Sequence, residues 1–284
     1  MDYRKEFLVE PGAKLKLKKI DPSYKGKHES QEAAKQETET FRKKLADQQT
    51  LLYAENKHAI LVVLQALDAG GKDGTIKHVF TALNPQGVTV VPFKQPTPLE
   101  KAHDFLWRVH PHAPPKGHIT IFNRSHYEDV LVPAVHKLID KAECLAREEQ
   151  IRNFESLLAD NGTTILKFFL HISKEEQLAR FAQRLDDPNK NWKISESDYS
   201  ERELWDAYVD AFEDGIPATS TKKAPWYVIP SNHKWFRNLA VSQIMADTME
   251  ELKLAFPPPS VDLADIRRKY HAALEEEKGG KKKG

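Results

Sequence analysis

Five short apolar runs recur along the chain: "AILVVLQA" (59–66), "GVTVVPF" (87–93), "HITIFN" (118–123), "TTILKFFLHI" (163–172) and "PWYVIP" (225–230). Each is rich in β-branched or aromatic residues and short enough for a buried strand, while the longer segments between them have helical character. Strands that alternate with helices predict a parallel sheet covered on both faces, a three-layer αβα fold with five parallel strands. The alternation runs over one domain, residues 1–270. Residues 30–57, "SQEAAKQETETFRKKLADQQTLLYAENK", predict a long helix with an apolar stripe, packed on the sheet or on a partner subunit. Residues 271–284, ending in "EEEKGGKKKG", are charged and glycine-rich and predict a disordered tail.

One interval interrupts this rhythm. After "SKEEQLARFAQRL" the chain is polar with helical patches, and no strand returns until "WYVIP". Residues 185–222 therefore read as two helices joined by the turn "DDPNKN", standing off the sheet as a movable cover. An ordinary surface hairpin fits the same letters. A cover matters where water competes with a substrate for a reactive group.

Composition adds exclusions. The 284 residues include 43 Lys and Arg against 42 Asp and Glu, a formal charge of +1, so there is no bulk attraction to nucleic acid or membrane. Any anion site is local. The single cysteine, Cys144, rules out an intrachain disulfide, and the start "MDYRKEFLVEPG" lacks the apolar stretch of a secretion signal. No run approaches the ~20 apolar residues needed to span a bilayer. The expected compartment is the cytoplasm.

The candidate chemistry begins at "ALDAGGKDGT" (66–75), between the first strand and a helix. A phosphate-binding loop reads G-x-x-x-x-G-K-[ST]. Here Ala66 replaces the first glycine, and Asp73 follows Lys72 where a hydroxyl is expected. The backbone of Ala69, Gly70, Gly71, Asp73 and Gly74 still suits an anion at a helix start, and Lys72 adds a point charge. Thr75 is the nearest hydroxyl. Asp68, at the end of a buried strand, is the candidate to hold Mg²⁺, directly or through water. A glycine-rich turn without any ligand also fits this stretch.

A second cluster, "HITIFNRSHYEDVLV", ends a strand at Asn123 and Arg124, with Glu128 and Asp129 one helical turn later. In a parallel sheet these residues stand at the carboxyl edge, where ligands bind in open α/β folds. Arg124 suits phosphate oxygens, and Asn123 can offer an oxygen to a metal or its water. A surface ion pair between Arg124 and Glu128 is the plainer alternative.

"LDAGGKDGTI", "FNRSHYEDVLV", "DDPNKNWK" and "HKWF", in this order and spacing, resemble the family-2 polyphosphate kinases over nearly the whole chain. The resemblance implies a P-loop kinase fold similar to thymidylate kinase, with the first two motifs as Walker A and Walker B and the third opening a helical lid. It also implies reversible transfer of the terminal phosphoryl group of inorganic polyphosphate to AMP or ADP, giving ADP or ATP. Mg²⁺ is the expected cofactor, with Mn²⁺ as an alternative, GMP and GDP are further candidate acceptors, and a dimeric or tetrameric homo-oligomer is expected. Asp68, Lys72, Arg124 and Arg184 match the family's essential positions. Glu128, where many members carry Asn, resembles the class III branch that accepts AMP as well as ADP. Asn123 departs from a common aspartate, which leaves metal binding chiefly to Asp68.

Arg180 and Arg184 are four apart on a predicted helix and share a face, with Lys190 and Lys193 close behind, a track for a linear polyanion. Lys94 and Arg108 are candidates to approach the acceptor. His103, His110 and His112 lack the spacing of a zinc set. "NHKWFRNLAVSQIM" reads as a helix start with apolar packing. Two rival functions share these residues: an ATP-dependent nucleoside monophosphate kinase, and a non-catalytic polyanion binder on a degenerate loop.

Overall fold

A computed structural model describes residues 1–280 of the chain. Six strands form one sheet: β1 (Leu8–Val9), β2 (Ala59–Gln65), β3 (Val88–Pro92), β4 (Ile119–Asn123), β5 (Thr163–His171) and β6 (Trp226–Pro230). Their order is β1-β6-β5-β2-β4-β3. Strands β2 to β6 are the five apolar runs, and they pair in parallel. The sheet is nevertheless mixed, not the expected five parallel strands, because β1 adds to β6 antiparallel through Leu8 opposite Tyr227 and Val9 opposite Trp226. Two residues are too few to print a pattern. They are delivered by the short helix α1 (Tyr3–Phe7), whose Tyr3 and Phe7 are buried beside Phe236.

Period-two alternation divides the central strands between two cores. Ile60, Val62 and Leu64 of β2 join Leu166, Phe168 and Leu170 of β5 on one face, while Leu61, Val63, Ile165 and Phe169 serve the other. Helix α2 (Gln31–Glu55) covers the first face, capped by the Ser30 hydroxyl and closed by Asn56 in a left-handed conformation. It carries Leu45 and Leu52 into that core beside Leu239, Ile244 and Met245 of the late helix spanning 234–251. Both helices agree with the pattern.

The remaining helices, in chain order, are α3 (Lys72–Val79), α4 (Pro98–Lys101), α5 (Glu128–Val135), α6 (Lys141–Asp160), α7 (Lys174–Asp186), α8 (Glu196–Glu203), α9 (Trp205–Thr219), α10 (Lys234–Glu251) and α11 (Leu263–Gly280). The expected cover over 185–222 is split. Trp205, Val209, Phe212 and Ile216 recur at helical spacing, and that stripe buries α9 in the second core with Ile151 and Phe154 of α6. The turn after α7 and the short helix α8, residues 187–203, stay outside that core and lie over the cleft, fastened by Lys193 to Asp73 and by Arg202 to the Lys174 carbonyl. At the far end, residues 271–280 continue the exposed helix α11, where helix-forming Ala, Leu, Glu and Lys residues follow the pairs Asp265–Arg268 and Asp265–Lys269. Residues 281–284 of the expected tail lie outside the described residues. Among the described residues no helix is long and apolar enough to cross a membrane.

Candidate active site

Strand order reverses about β2, which has β4 on one side and β5 on the other. In an open α/β sheet the crevice at such a reversal, beyond the carboxyl ends of the strands, is the natural ligand site. Here β2 runs out into residues 66–71, β4 into Arg124, β3 into Phe93 and Lys94. Helix α3 starts on Gly71, whose φ of 106° suits glycine, and a Cβ there would overlap the guanidinium of Arg237. Ala69 and Arg124 also adopt positive φ, 59° and 62°. The first amides of α3, at Lys72, Asp73 and Gly74, have no intrahelical acceptor. Helix α7 grips the loop from outside: Gln177 Nε2 donates to the Asp68 carbonyl (2.9 Å) and Arg180 Nη1 to the Ala69 carbonyl (2.8 Å).

The structure gathers Asp68, Lys72, Arg124 and Glu128 at one point. Arg124 Nη2 lies 3.2 Å from Asp68 Oδ1, and Lys72 Nζ donates to the Ala66 carbonyl at 3.0 Å. Burial lowers the Lys72 pKa, helped by the neighbouring Arg124 and resisted by Asp68, Glu128 and Asp73. Burial also pushes the Glu128 carboxyl up, against the pull of Arg124 and Lys72. With its amide oriented to satisfy both ends, Gln65 donates to Glu128 Oε1 (2.9 Å) and accepts from Ser125 Oγ (3.1 Å). Burial is also the largest influence on Arg124, and it opposes the charge, yet Glu128 and Asp68 keep the guanidinium firmly protonated.

Other expected residues sit differently. Thr75 is fully buried and its hydroxyl turns back to the Gly71 carbonyl (3.2 Å), so it braces the loop and does not face the cleft. Asp73 Oδ1 accepts from the Asn123 amide (2.9 Å) and Oδ2 pairs with Lys193 (3.3 Å). Burial opposes its ionisation, but these two contacts hold it below the usual carboxylate range. Asn123 thus presents its amide nitrogen to Asp73. Arg180 is no part of an exposed track: it is buried, with its donors committed to Glu176 and to the carbonyls of Ala69, Ser231 and Asn232. Arg184 remains on the cleft, tied to the cover through the Lys193 carbonyl (3.0 Å) and Asp198 (3.4 Å). Arg108 is buried, locked onto Asp129 and the Lys94 carbonyl.

The pattern gave no role to Arg237. It lies beneath the loop on α10, 1% exposed, with its guanidinium against Gly71 and Gly74. Its hydrogen bonds go to Asn238 Oδ1 (3.1 and 2.8 Å), and no carboxylate pairs with it among the described residues. Burial, with Arg180 adding to it, pushes its pKa down to about 9. The available signal was an arginine three residues after Lys234 in "HKWFRN", on the same helix face. Lys35 and Arg42 of α2 and Lys234 of α10 extend the same wall. The resulting cleft, about 980 Å³, is lined by eleven Lys and Arg side chains against four Asp and Glu.

This geometry can be set beside known proteins. The sequence model of the family described as Polyphosphate kinase 2 matches residues 28–257. The AMP/ADP-polyphosphate phosphotransferase of Meiothermus ruber is 51% identical over 256 residues, covering 90% of this chain and 96% of that protein. The ADP-polyphosphate phosphotransferase of Rhodopseudomonas palustris is 45% identical over 269 residues, covering 89% and 92%. Among solved structures, polyphosphate kinase 2 from Arthrobacter aurescens TC1 superposes with a TM-score of 0.89 at 41% identity, covering 93% of this chain and 95% of that one.

Proposed function

The chain belongs to the polyphosphate kinase 2 family, and from that premise we propose that its cleft transfers the terminal phosphoryl group of inorganic polyphosphate to AMP or ADP. It is a kinase acting on nucleotides with polyphosphate as donor. The observation that carries the residue assignments is the cationic excess of one cleft in a chain of formal charge +1. Two polyanions must meet there, and phosphoryl transfer asks of a protein chiefly charge neutralisation, in-line placement and exclusion of water.

Lys72 and Arg124 neutralise the transferring group, with the loop amides holding it. Arg237 adds charge from below the loop, and Arg184 closes from the cover. The donor chain runs along the wall of Lys234, Arg42 and Lys35, and the acceptor enters from the side of Lys94. Asp68 fits a hard divalent cation: a cation of this kind keeps several waters and takes one or two carboxylates plus substrate phosphates. Mg²⁺ bound there, or Mn²⁺ in its place, would supply charge neutralisation between donor and acceptor oxygens. Asn123, turned to Asp73, serves by orienting that carboxylate. Glu128 sits where it can orient an incoming acceptor phosphate through Arg124.

The test is an incubation of the purified chain with AMP or ADP, Mg²⁺ and long-chain polyphosphate, products resolved by chromatography. ADP and ATP should form only with polyphosphate present. Phosphorylation of AMP by ATP alone, with polyphosphate inert, would overturn the assignment of donor.

A further inference from the structure

On the face of the sheet covered by α6 and α9 lies a fully buried polar cluster that the cleft chemistry leaves unexplained. Lys167 interrupts the apolar run of β5 and is wholly buried. Its ammonium donates to Glu155 Oε2 (2.6 Å), the Tyr127 hydroxyl (2.9 Å) and the Thr219 carbonyl (2.8 Å). It also lies over the rings of Tyr127 and Trp226. The other oxygen of Glu155 accepts from the Tyr127 hydroxyl (2.8 Å) and faces His126 Nε2 (3.2 Å). Dehydrating two charges is costly, and apolar residues of the same size generally stabilise a core as well or better. Stability alone does not explain the pair.

Its partners do. His126 and Tyr127 are the middle of the segment 124–128, whose ends carry Arg124 and Glu128. That segment starts from a residue at φ 62°, a conformation non-glycine residues seldom adopt. It is fastened from the front by Gln65 to Ser125, and from within by Ser125 Oγ accepting the Tyr127 amide (3.2 Å). From behind, one carboxylate engages two consecutive side chains. Lys167 fixes that carboxylate and ties it to Thr219 at the end of α9.

We infer that the Glu155–Lys167 pair is a positioning device for phosphoryl transfer: by holding His126 and Tyr127 from behind, it sets Arg124 and Glu128 at the spacing the reaction requires. This rests on the roles proposed above for Arg124 and Glu128. Glu155 and Lys167 are positioning residues, since neither reaches the cleft.

The experiment compares the full chain with the double variant Glu155→Met, Lys167→Met, which exchanges the ion pair for apolar side chains of similar length. Its thermal midpoint is expected below that of the parent, because the buried Tyr127 hydroxyl, His126 and the Thr219 carbonyl lose partners, so kinetics are read well below that midpoint. Its kcat should fall about ten- to hundredfold, the scale of a small misplacement of reacting groups. KM for polyphosphate and nucleotide should stay within about threefold, because the ground-state contacts of Lys72 and the loop are untouched. In an Arg124→Ala background the same double substitution should cost less than about twofold more, because residues acting as one unit are not additive. A folded double variant with parental kcat, or an undiminished loss in the Arg124→Ala background, overturns the inference. Parental turnover by Arg124→Ala alone would instead overturn the reading of the cleft. Tyr127→Phe removes one hydroxyl and guards against misfolding of the double variant: it should lower kcat about threefold or more at constant KM, and parental kcat there overturns the inference equally.

Discussion

Arg237 joins a cost in stability to a gain in function, and Arg237→Met separates the two. The guanidinium is 1% exposed, pairs with no carboxylate among the described residues, and has its pKa pushed down to about 9 by burial. A base whose folded pKa lies below its unfolded value costs stability at all pH below the folded pKa, and the cost fades only as pH climbs above about 9. At neutral pH the whole cost is present. Replacing a buried charge by an apolar chain of similar size returns part of this, about 1–4 kcal/mol. For a chain of this size each kcal/mol moves the thermal midpoint by roughly 2 °C, so Arg237→Met should melt roughly 2–8 °C higher. The same change removes a preorganised positive charge under the loop, which should lower kcat/KM for polyphosphate by about 10²–10³. Differential scanning calorimetry and steady-state kinetics on one preparation measure both. A midpoint lower by several degrees would refute the burial argument, and unchanged kcat/KM would remove Arg237 from the phosphate site.

Three further outcomes follow from the cleft. Lys72→Ala and Asp68→Asn should each lower turnover by about 10²–10³ with the circular dichroism spectrum unchanged, and raising Mg²⁺ should rescue Asp68→Asn only weakly; near-parental turnover in either refutes the assignment. Glu128→Asn should impair AMP more than ADP as acceptor, and equal losses would reduce Glu128 to general support of Arg124. Arg184→Ala should lower kcat and raise KM for polyphosphate, whereas Lys193→Ala, whose ammonium pairs with Asp73 beside the loop, should mainly raise KM; if neither alters the polyphosphate dependence, the donor does not pass under the cover.

The parallel strands were legible because a strand buried on both faces is continuously apolar, as "AILVVL" is. The mixed edge was not, since β1 is two residues long and owes its place to Tyr3 and Phe7 packing on Phe236. Motif letters located Asp68, Lys72, Arg124 and Glu128, and the fold brings these four together. Letters could not tell which arginines face the cleft. Arg180 and Arg184 share a helix face and both border the cleft, yet one turn separates a buried guanidinium committed to the Ala69, Ser231 and Asn232 carbonyls from one tied to the Lys193 carbonyl and Asp198. Thr75 misled for the same reason: a hydroxyl four residues after Gly71 is at the right spacing to close back on that carbonyl. The division of 185–222 was partly visible, because the stripe Trp205, Val209, Phe212, Ile216 is present in the sequence, but its polar surroundings masked it.

Composition required any anion site to be local, and the cleft is. A formal charge of +1 gives no sign of a polyanion site, yet the cleft lining carries an excess of seven positive charges, eleven against four. The remainder of the chain is therefore net negative by about six, counting the same Lys, Arg, Asp and Glu residues. That division has a physical consequence. At 0.15 M salt, charges are screened over about 8 Å, so the local excess counts for more than the net charge of the chain, and attraction of a polyanion is strongest at the cleft, where low-dielectric walls focus the field. A uniformly basic surface would bind the donor anywhere along its length. On the function proposed above, positive charge gathered on α2, α3, α7, α10 and the loops of Lys94, Arg124, Lys190 and Lys193 favours entry of the donor at the cleft over binding elsewhere, and the polyphosphate dependence of Arg184→Ala and Lys193→Ala tests that route.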